Sequence, residues 1–290
     1  MALRWRTCCS NPSWWFGKAP GRGWLLSKGA DLLPTEMEEY LFDLKGFLVI
    51  REAIDSAHLT ELNDLIDVLK EVEVGEWSGY VHRTGPSALQ SIYEAGEPFE
   101  RLIDHPAYID HVTRFVGGDD GLFIDEGFMT IQGPGASGRL HSGAHKRRIR
   151  TQFRYHNGQF RCGQVNVLMA LTDIQDGDGP TRVVPGSHKS NLIHPALVSD
   201  ERVFRDAHVE GAVEVPLKAG DAILFVDALA HGAGYRTNPG ERRVAIYRYG
   251  PHWGSNRHGY VPSDELIARL TPERRKIIQP LLPKRPPVVA

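Results

Sequence analysis

The chain has 290 residues, 41% hydrophobic and 24% charged, with a net charge of −2. That composition supplies a sizeable core under a polar surface, and so small a net charge argues against a nucleic-acid polymer or a membrane surface as partner. Three cysteines (Cys8, Cys9, Cys162) are too few for a disulfide framework or a zinc site, as expected of a protein in the reducing cytoplasm, and no apolar run approaches the ~20 residues that span a bilayer.

Residues 1–36 differ from the rest. They hold four of the six tryptophans (Trp5, Trp14, Trp15, Trp24) and no acid before Asp31, without the apolar stretch of a secretory signal. They read as an N-terminal extension, either unpacked or an aromatic arm, ahead of one domain over 37–290. Glu38 to Leu44 predicts a short helix, and Gly46 turns the chain into the strand Phe47-Leu48-Val49-Ile50. Asp55 or Ser56 caps a helix whose apolar positions Leu59, Leu62, Leu65, Ile66 and Leu69 recur at three and four residues. Residues 74–98, with Trp77, Tyr80, His82 and Arg83, read as loop, and Phe99 to Phe115 as a helix interrupted near Pro106. Beyond Gly117 the pattern becomes strand and turn: Leu122–Ile124, Phe128–Ile131, Val165–Leu171, a short strand ending at Val183-Val184, Ala222–Val226 and Val244–Tyr249. Many short strands separated by Gly, Pro and Asp turns predict a mainly β protein with flanking helices, built as a barrel or jelly roll. Pro283, Pro286 and Pro287 mark an unstructured tail.

Two histidines far apart carry the functional signal. His141 lies in Leu140-His141-Ser142-Gly143 after the Gly133-Pro134-Gly135 turn. His231 follows 90 positions later in Asp227-Ala228-Leu229-Ala230-His231-Gly232, with Arg242 shortly beyond. Together with Tyr40 to Ile50, Ala170 to Asp173 and Pro185-Gly186-Ser187-His188-Lys189, these stretches resemble the phytanoyl-CoA dioxygenase family of iron(II)/2-oxoglutarate oxygenases over about Met37 to Tyr249. The resemblance implies a double-stranded β-helix (a cupin-like jelly roll), with iron(II), 2-oxoglutarate and O2 as its working set. His141 and His231 would be metal ligands, since neutral imidazole suits iron(II); His145 is the alternative nearest to His141. Arg242 would hold the distal carboxylate of 2-oxoglutarate through its planar fork. Arg243 is the alternative, and on a strand only one of the two can face inward. Asn166 and Met129 are weaker cofactor contacts, equally readable as core positions.

Position 143 departs from the family pattern. The usual motif is His-x-Asp, and here Gly143 stands where the third ligand belongs. His141-Ser142-Gly143 resembles the halogenases of this superfamily, in which glycine or alanine leaves a coordination position that chloride can fill. The resemblance then implies chlorination of an unactivated carbon, a reaction of secondary metabolism, with Gly143 as the halide site. The alternatives are a hydroxylase whose third ligand is a distant carboxylate (Asp125, Glu126 or Asp227) and a non-catalytic binding module on the same barrel. Lys146, Arg147, Arg148, Arg150, Arg154 and Arg161 follow the first histidine as a basic cluster. Such a run is usually a solvated face. Beside an active-site mouth, Arg147, Arg148 and Arg150 would bind an anionic small molecule, with Phe153, Tyr155 and Trp77 near enough to stack on a ring of a nucleotide-like substrate. The sequence leaves the oligomeric state open.

Overall fold

The computed structural model describes residues 33–117, 121–197, 209–254 and 262–279. The N-terminal extension up to residue 32 and the proline-rich tail lie outside these residues. The first helix, α1 (Glu36–Lys45), starts on a capping box in which the Thr35 side chain and Glu38 satisfy each other's backbone N–H groups. Acids crowd its first turn and Lys45 its last, as the helix dipole favours. It ends on Gly46 in the left-handed conformation (φ 84°), where a Cβ would strike the His188 ring at 2.5 Å.

Strand β1 (Phe47–Ile50) follows, then α2 (Ser56–Leu69), capped by Asp55, which accepts from the His58 N–H at 2.8 Å. The segment expected to be loop instead forms β2 (Trp77–Ser78), β3 (Val81–Gly85) and β4 (Ala88–Gln90). Each is too short to show a period, and each is fixed by pairing with its neighbour. The helix expected over 99–115 is two pieces, α3 (Glu97–Glu100) and α4 (Ile109–Val116), separated around Pro106. The two strands expected between 122 and 131 are one, β5 (Leu122–Gln132).

The small hairpin β6 (Tyr155–His156) and β7 (Gln159–Phe160) leads to β8 (Val165–Ala170), buried along its whole length. Then come β9 (Thr181–Val183), β10 (Val213–Val215), β11 (Ala222–Val226), β12 (His231–Ala233) and β13 (Arg242–Pro251). Helices α5 (Asp264–Arg269) and α6 (Pro272–Ile278) close the described chain. None of these helices is long and apolar enough to cross a membrane.

All pairings between these strands are antiparallel. The major sheet has the order β1-β11-β8-β13-β5-β4-β3-β2 and the minor sheet β10-β9-β12. This is a mostly antiparallel, jelly-roll-like fold with helices on one side. Side chains opposite each other in an antiparallel pair share a face, so the register sorts the major sheet. Arg243, Ala245 and Tyr247 face Ile131, Met129 and Gly127 and look toward the helices. Tyr247 Oη donates to the Phe99 carbonyl at 2.6 Å, and Arg243 reaches Asn63 and Asp67 on α2. Arg242 with Gln132, and Arg248 with Asn166 and then Phe225, lie on the other face, where the site forms.

Candidate metal and 2-oxoglutarate site

His231 opens β12, paired with Val183 of β9, and His141 adds one rung on the open side of that strand. The two backbones exchange hydrogen bonds of 2.8 and 3.0 Å, which sets the rings 4.2 Å apart. Each Nδ1 faces a main-chain oxygen two residues back: Arg139 at 3.0 Å for His141, Leu229 at 2.7 Å for His231. A carbonyl only accepts, so Nδ1 carries the proton in both rings and each Nε2 keeps its lone pair. This is the support that orients metal-ligating histidines. Desolvation lowers both imidazole pKa values, that of the buried His231 well below its ordinary range with His141 adding repulsion. Both rings are held neutral, the form a metal requires.

Ser142 and Gly143 carry the chain away from His141 at φ 68° and 117°, and the Ser142 hydroxyl donates to the Asp227 carbonyl. At Gly143 a Cβ would stand 2.8 Å from Nδ1 of His145. An L-residue fits this position poorly, and the space where its side chain would begin holds the His145 ring. Among the described residues no three His, Cys, Asp or Glu side chains are grouped to hold one metal. The three distant carboxylates weighed as third ligand have other surroundings. Glu126 pairs with Arg248, Asp227 lies 3.3 Å from Arg150 and accepts from Asn166 at 3.4 Å, and Asp125 lines a cavity beside Trp77.

Arg242 is 3% exposed. Its two terminal nitrogens donate to Gln132 at 3.0 Å and, across to the minor sheet, to Thr181 at 3.2 Å. Its Nε is buried without a hydrogen-bond partner, and no carboxylate of the described residues is paired with it. Burial, with repulsion from Arg236, pushes its pKa down to about 10, so it stays charged at neutral pH. A buried guanidinium lacking an anion is costly, and the carboxylate of a bound ligand would relieve it. Arg243 is saturated by Asp67, Glu241 and Asn63 on the helix side.

The other expected residues divide. Asn166 is on the Arg242 face, buried, and tied to Gln164 and Asp227. Met129 is a correction: it lies opposite Ala245, on the helix side of β5, in the core and away from the cofactor face. The three arginines also part company. Arg147 and Arg148 line a cavity of about 910 Å³ with Phe153 and Tyr155, whereas Arg150 turns to Asp227. Trp77 lines a different cavity and stacks on His82 at 4.2 Å, so it does not join the other aromatics. His188 is structural: its Nε2 donates to the Asp43 carbonyl at 3.0 Å. Gln132 and Thr181, which hold Arg242, were not read from the sequence. Neither lies in a motif, and only the β13–β5 register and the contact between sheets bring them there.

The phytanoyl-CoA dioxygenase family model matches residues 42–244. The chain is 31% identical over 118 residues to the dioxygenase cdmD of Talaromyces verruculosus, covering 39% of this chain and 35% of that protein. The chain thus spans about a third of the length of the fungal dioxygenases it matches. It is 21% identical over 250 residues to L-proline trans-4-hydroxylase of Streptomyces griseoviridis, covering 77% and 88% of the two chains. Among solved structures it is similar to HygX from Streptomyces hygroscopicus with nickel and 2-oxoglutarate bound, with a TM-score of 0.64, 25% identity, and coverage of 80% of this chain and 97% of that one. By the extent of the family match and by its fold, this chain belongs to the phytanoyl-CoA dioxygenase family.

Proposed function

We propose that the protein is an iron(II)/2-oxoglutarate-dependent oxygenase that hydroxylates a C–H bond of a small molecule, on a double-stranded β-helix running from about residue 37. The observation that carries this reading is the His141–His231 pair, with both Nε2 lone pairs free of protons, on the same side of the fold as the anion-seeking Arg242. Iron and 2-oxoglutarate, when bound, supply the oxidising power to break an unactivated C–H bond, with O2 consumed and succinate and CO2 released. The residues do the rest. His141 and His231 hold the metal, and the Arg139 and Leu229 carbonyls fix their tautomer. Arg242 receives the distal carboxylate, steadied by Gln132 and Thr181. Asn166 keeps the polar wall of the cofactor face in place through Asp227. The family relatives named as dioxygenases and as a hydroxylase support this reaction type.

A second reading, chlorination, rests on Gly143. Among the described residues no third His, Cys, Asp or Glu is grouped with the two histidines, and the nearby Asp227 is engaged by Arg150; a metal held there would keep room for a ligand from solution, and chloride fits in charge and size. Gly143 is the halide site in this reading. In both readings the substrate carries an anionic group, met by the basic segment after His141. The test is turnover with O2 and 2-oxoglutarate in the presence and absence of chloride, with product mass as the readout. Oxygen gained at saturating chloride supports the hydroxylase, and chlorine gained supports the halogenase. Failure to bind iron would reject both in favour of a non-catalytic module.

A further inference from the structure

The basic segment splits between two environments. Arg150 is neutralised by Asp227 next to the histidine pair. Arg147, Arg148 and Arg154 line the 910 Å³ cavity, all three exposed, and no ion pair within the described residues engages them. The acid on that cavity wall, Asp43, is 2.8 Å from Lys189 Nζ, so those two charges cancel. Three guanidinium charges are left facing one concave space. Arg147 itself takes a left-handed conformation (φ 46°) that L-residues seldom adopt, four positions after Gly143.

The cavity abuts a second one of about 500 Å³, with which it shares His145, Ser190 and Ile193; Gly143 and Ala230 line that second space. Ala230 directly precedes His231. Neither lining includes His141, His231 or Arg242, and neighbours along an extended segment face opposite ways, so the groove is a site of its own beside the histidine pair. The aromatic residues of the groove are not equivalent. Phe153 is occupied by His188, edge to face at 4.5 Å, and by Lys189 above its ring at 5.7 Å, whereas Tyr155, which meets Phe160 edge on at 4.8 Å, is still 53% exposed.

We propose that Arg147, Arg148 and Arg154 form a binding site for a phosphate group of a small-molecule ligand, with the exposed part of the Tyr155 ring available to a planar ring attached to it. Guanidinium forks match phosphate oxygens in pairs, and an uncancelled excess of positive charge favours a dianion over a monocarboxylate. Arg154 enters this subsite and Arg150 leaves it, because Asp227 already holds Arg150. Phosphate binding at this site does not depend on the oxygenase reading.

The experiment titrates inorganic phosphate, with acetate as the comparison, into the full chain loaded with nickel and 2-oxoglutarate, at low salt because the contacts are exposed. Phosphate should bind saturably and more tightly than acetate. The combined Arg147→Ala, Arg148→Ala and Arg154→Ala variant should lose at least ~10-fold in phosphate affinity, with nickel and 2-oxoglutarate binding unchanged. The Arg150→Ala variant should keep its phosphate affinity. Phosphate binding unaltered in the triple variant, or acetate bound as tightly as phosphate, would overturn the subsite. A chain that binds phosphate and no metal would instead overturn the oxygenase reading and leave the subsite standing.

Discussion

His141 and His231 are joined through their backbones: each donates its amide N–H to the other's carbonyl, at 2.8 and 3.0 Å. The rung lies on the open side of β12, so the histidine positions are set by the same hydrogen bonding that sets the minor sheet. With Nδ1 of each ring committed to a carbonyl, each Nε2 keeps its lone pair, and the proposed metal site is built on that.

It follows that His141→Ala and His231→Ala should each abolish tight iron binding without unfolding the chain. The loss should exceed the roughly 10–100-fold that follows removal of a supporting hydrogen bond. Calorimetric titration of iron(II) under nitrogen measures it. A fall of less than tenfold in either variant would mean that the metal sits elsewhere.

Arg242→Lys and Arg243→Lys should separate cleanly. Lysine cannot reproduce the fork, so Arg242→Lys should weaken 2-oxoglutarate binding by about 1.5–3 kcal/mol. Arg243→Lys should leave that affinity alone and lower stability, since Arg243 fastens β13 to Asp67 of α2 and to Glu241. Equal effects on 2-oxoglutarate would show that the two faces of β13 have been assigned wrongly.

How far the sequence reveals this arrangement depends on the range of the contact that decides it. Strands β8 and β11 were legible because a strand buried on both faces reads as a nearly unbroken apolar run, and β1 and β13 from the compact apolar runs Phe47–Ile50 and Val244-Ala245-Ile246-Tyr247. Helix α2 was legible from its period and its Asp55 cap. The β2–β4 ribbon was not, because strands of two to five residues carry no period of their own. β5 looked like two strands because Asp125, Glu126 and Gly127 interrupt its apolar pattern, and the bulge opposite Arg248 and Tyr249 absorbs them. The helices α5 and α6 were not read, since their buried residues are few and isolated. In the site, the histidine pair and Arg242 followed from motif and order. The inward or outward sense of Met129, and the capture of Arg150 by Asp227, depend on tertiary register that no local pattern records.

Gly143 should resist substitution for a backbone reason. At φ 117° any side chain is strained, and its Cβ meets the His145 ring. Gly143→Ala should cost roughly 1–3 kcal/mol by denaturant unfolding. Gly143→Asp should cost as much in the metal-free protein and recover part of it with iron present, if the new carboxylate reaches the metal. Identical stabilities for the two variants with iron would show that position 143 does not face the metal.

Stability should fall on acidification. His188 is buried, its Nε2 donates to Asp43, and its Nδ1 has no partner, so protonation would strand a charge, and burial holds its pKa down to about 4. The unfolded chain takes up that proton near pH 6.5. The contribution is therefore complete above about pH 6.5 and is lost as pH falls toward 4, on the order of 3 kcal/mol in all. His105, also lowered to about 4 by burial, acts in the same direction. Urea unfolding at pH 7 and pH 4.5 checks this, and a flat profile would contradict the neutral assignment of His188.

The most direct measurement is a crystal structure of the full chain grown without oxygen in the presence of iron(II) and 2-oxoglutarate. The proposed site places iron on Nε2 of His141 and His231, the distal carboxylate of 2-oxoglutarate on Arg242 including its unpartnered Nε, and no protein carboxylate on the metal. Iron bound away from either histidine, or 2-oxoglutarate held by a residue other than Arg242, would contradict it.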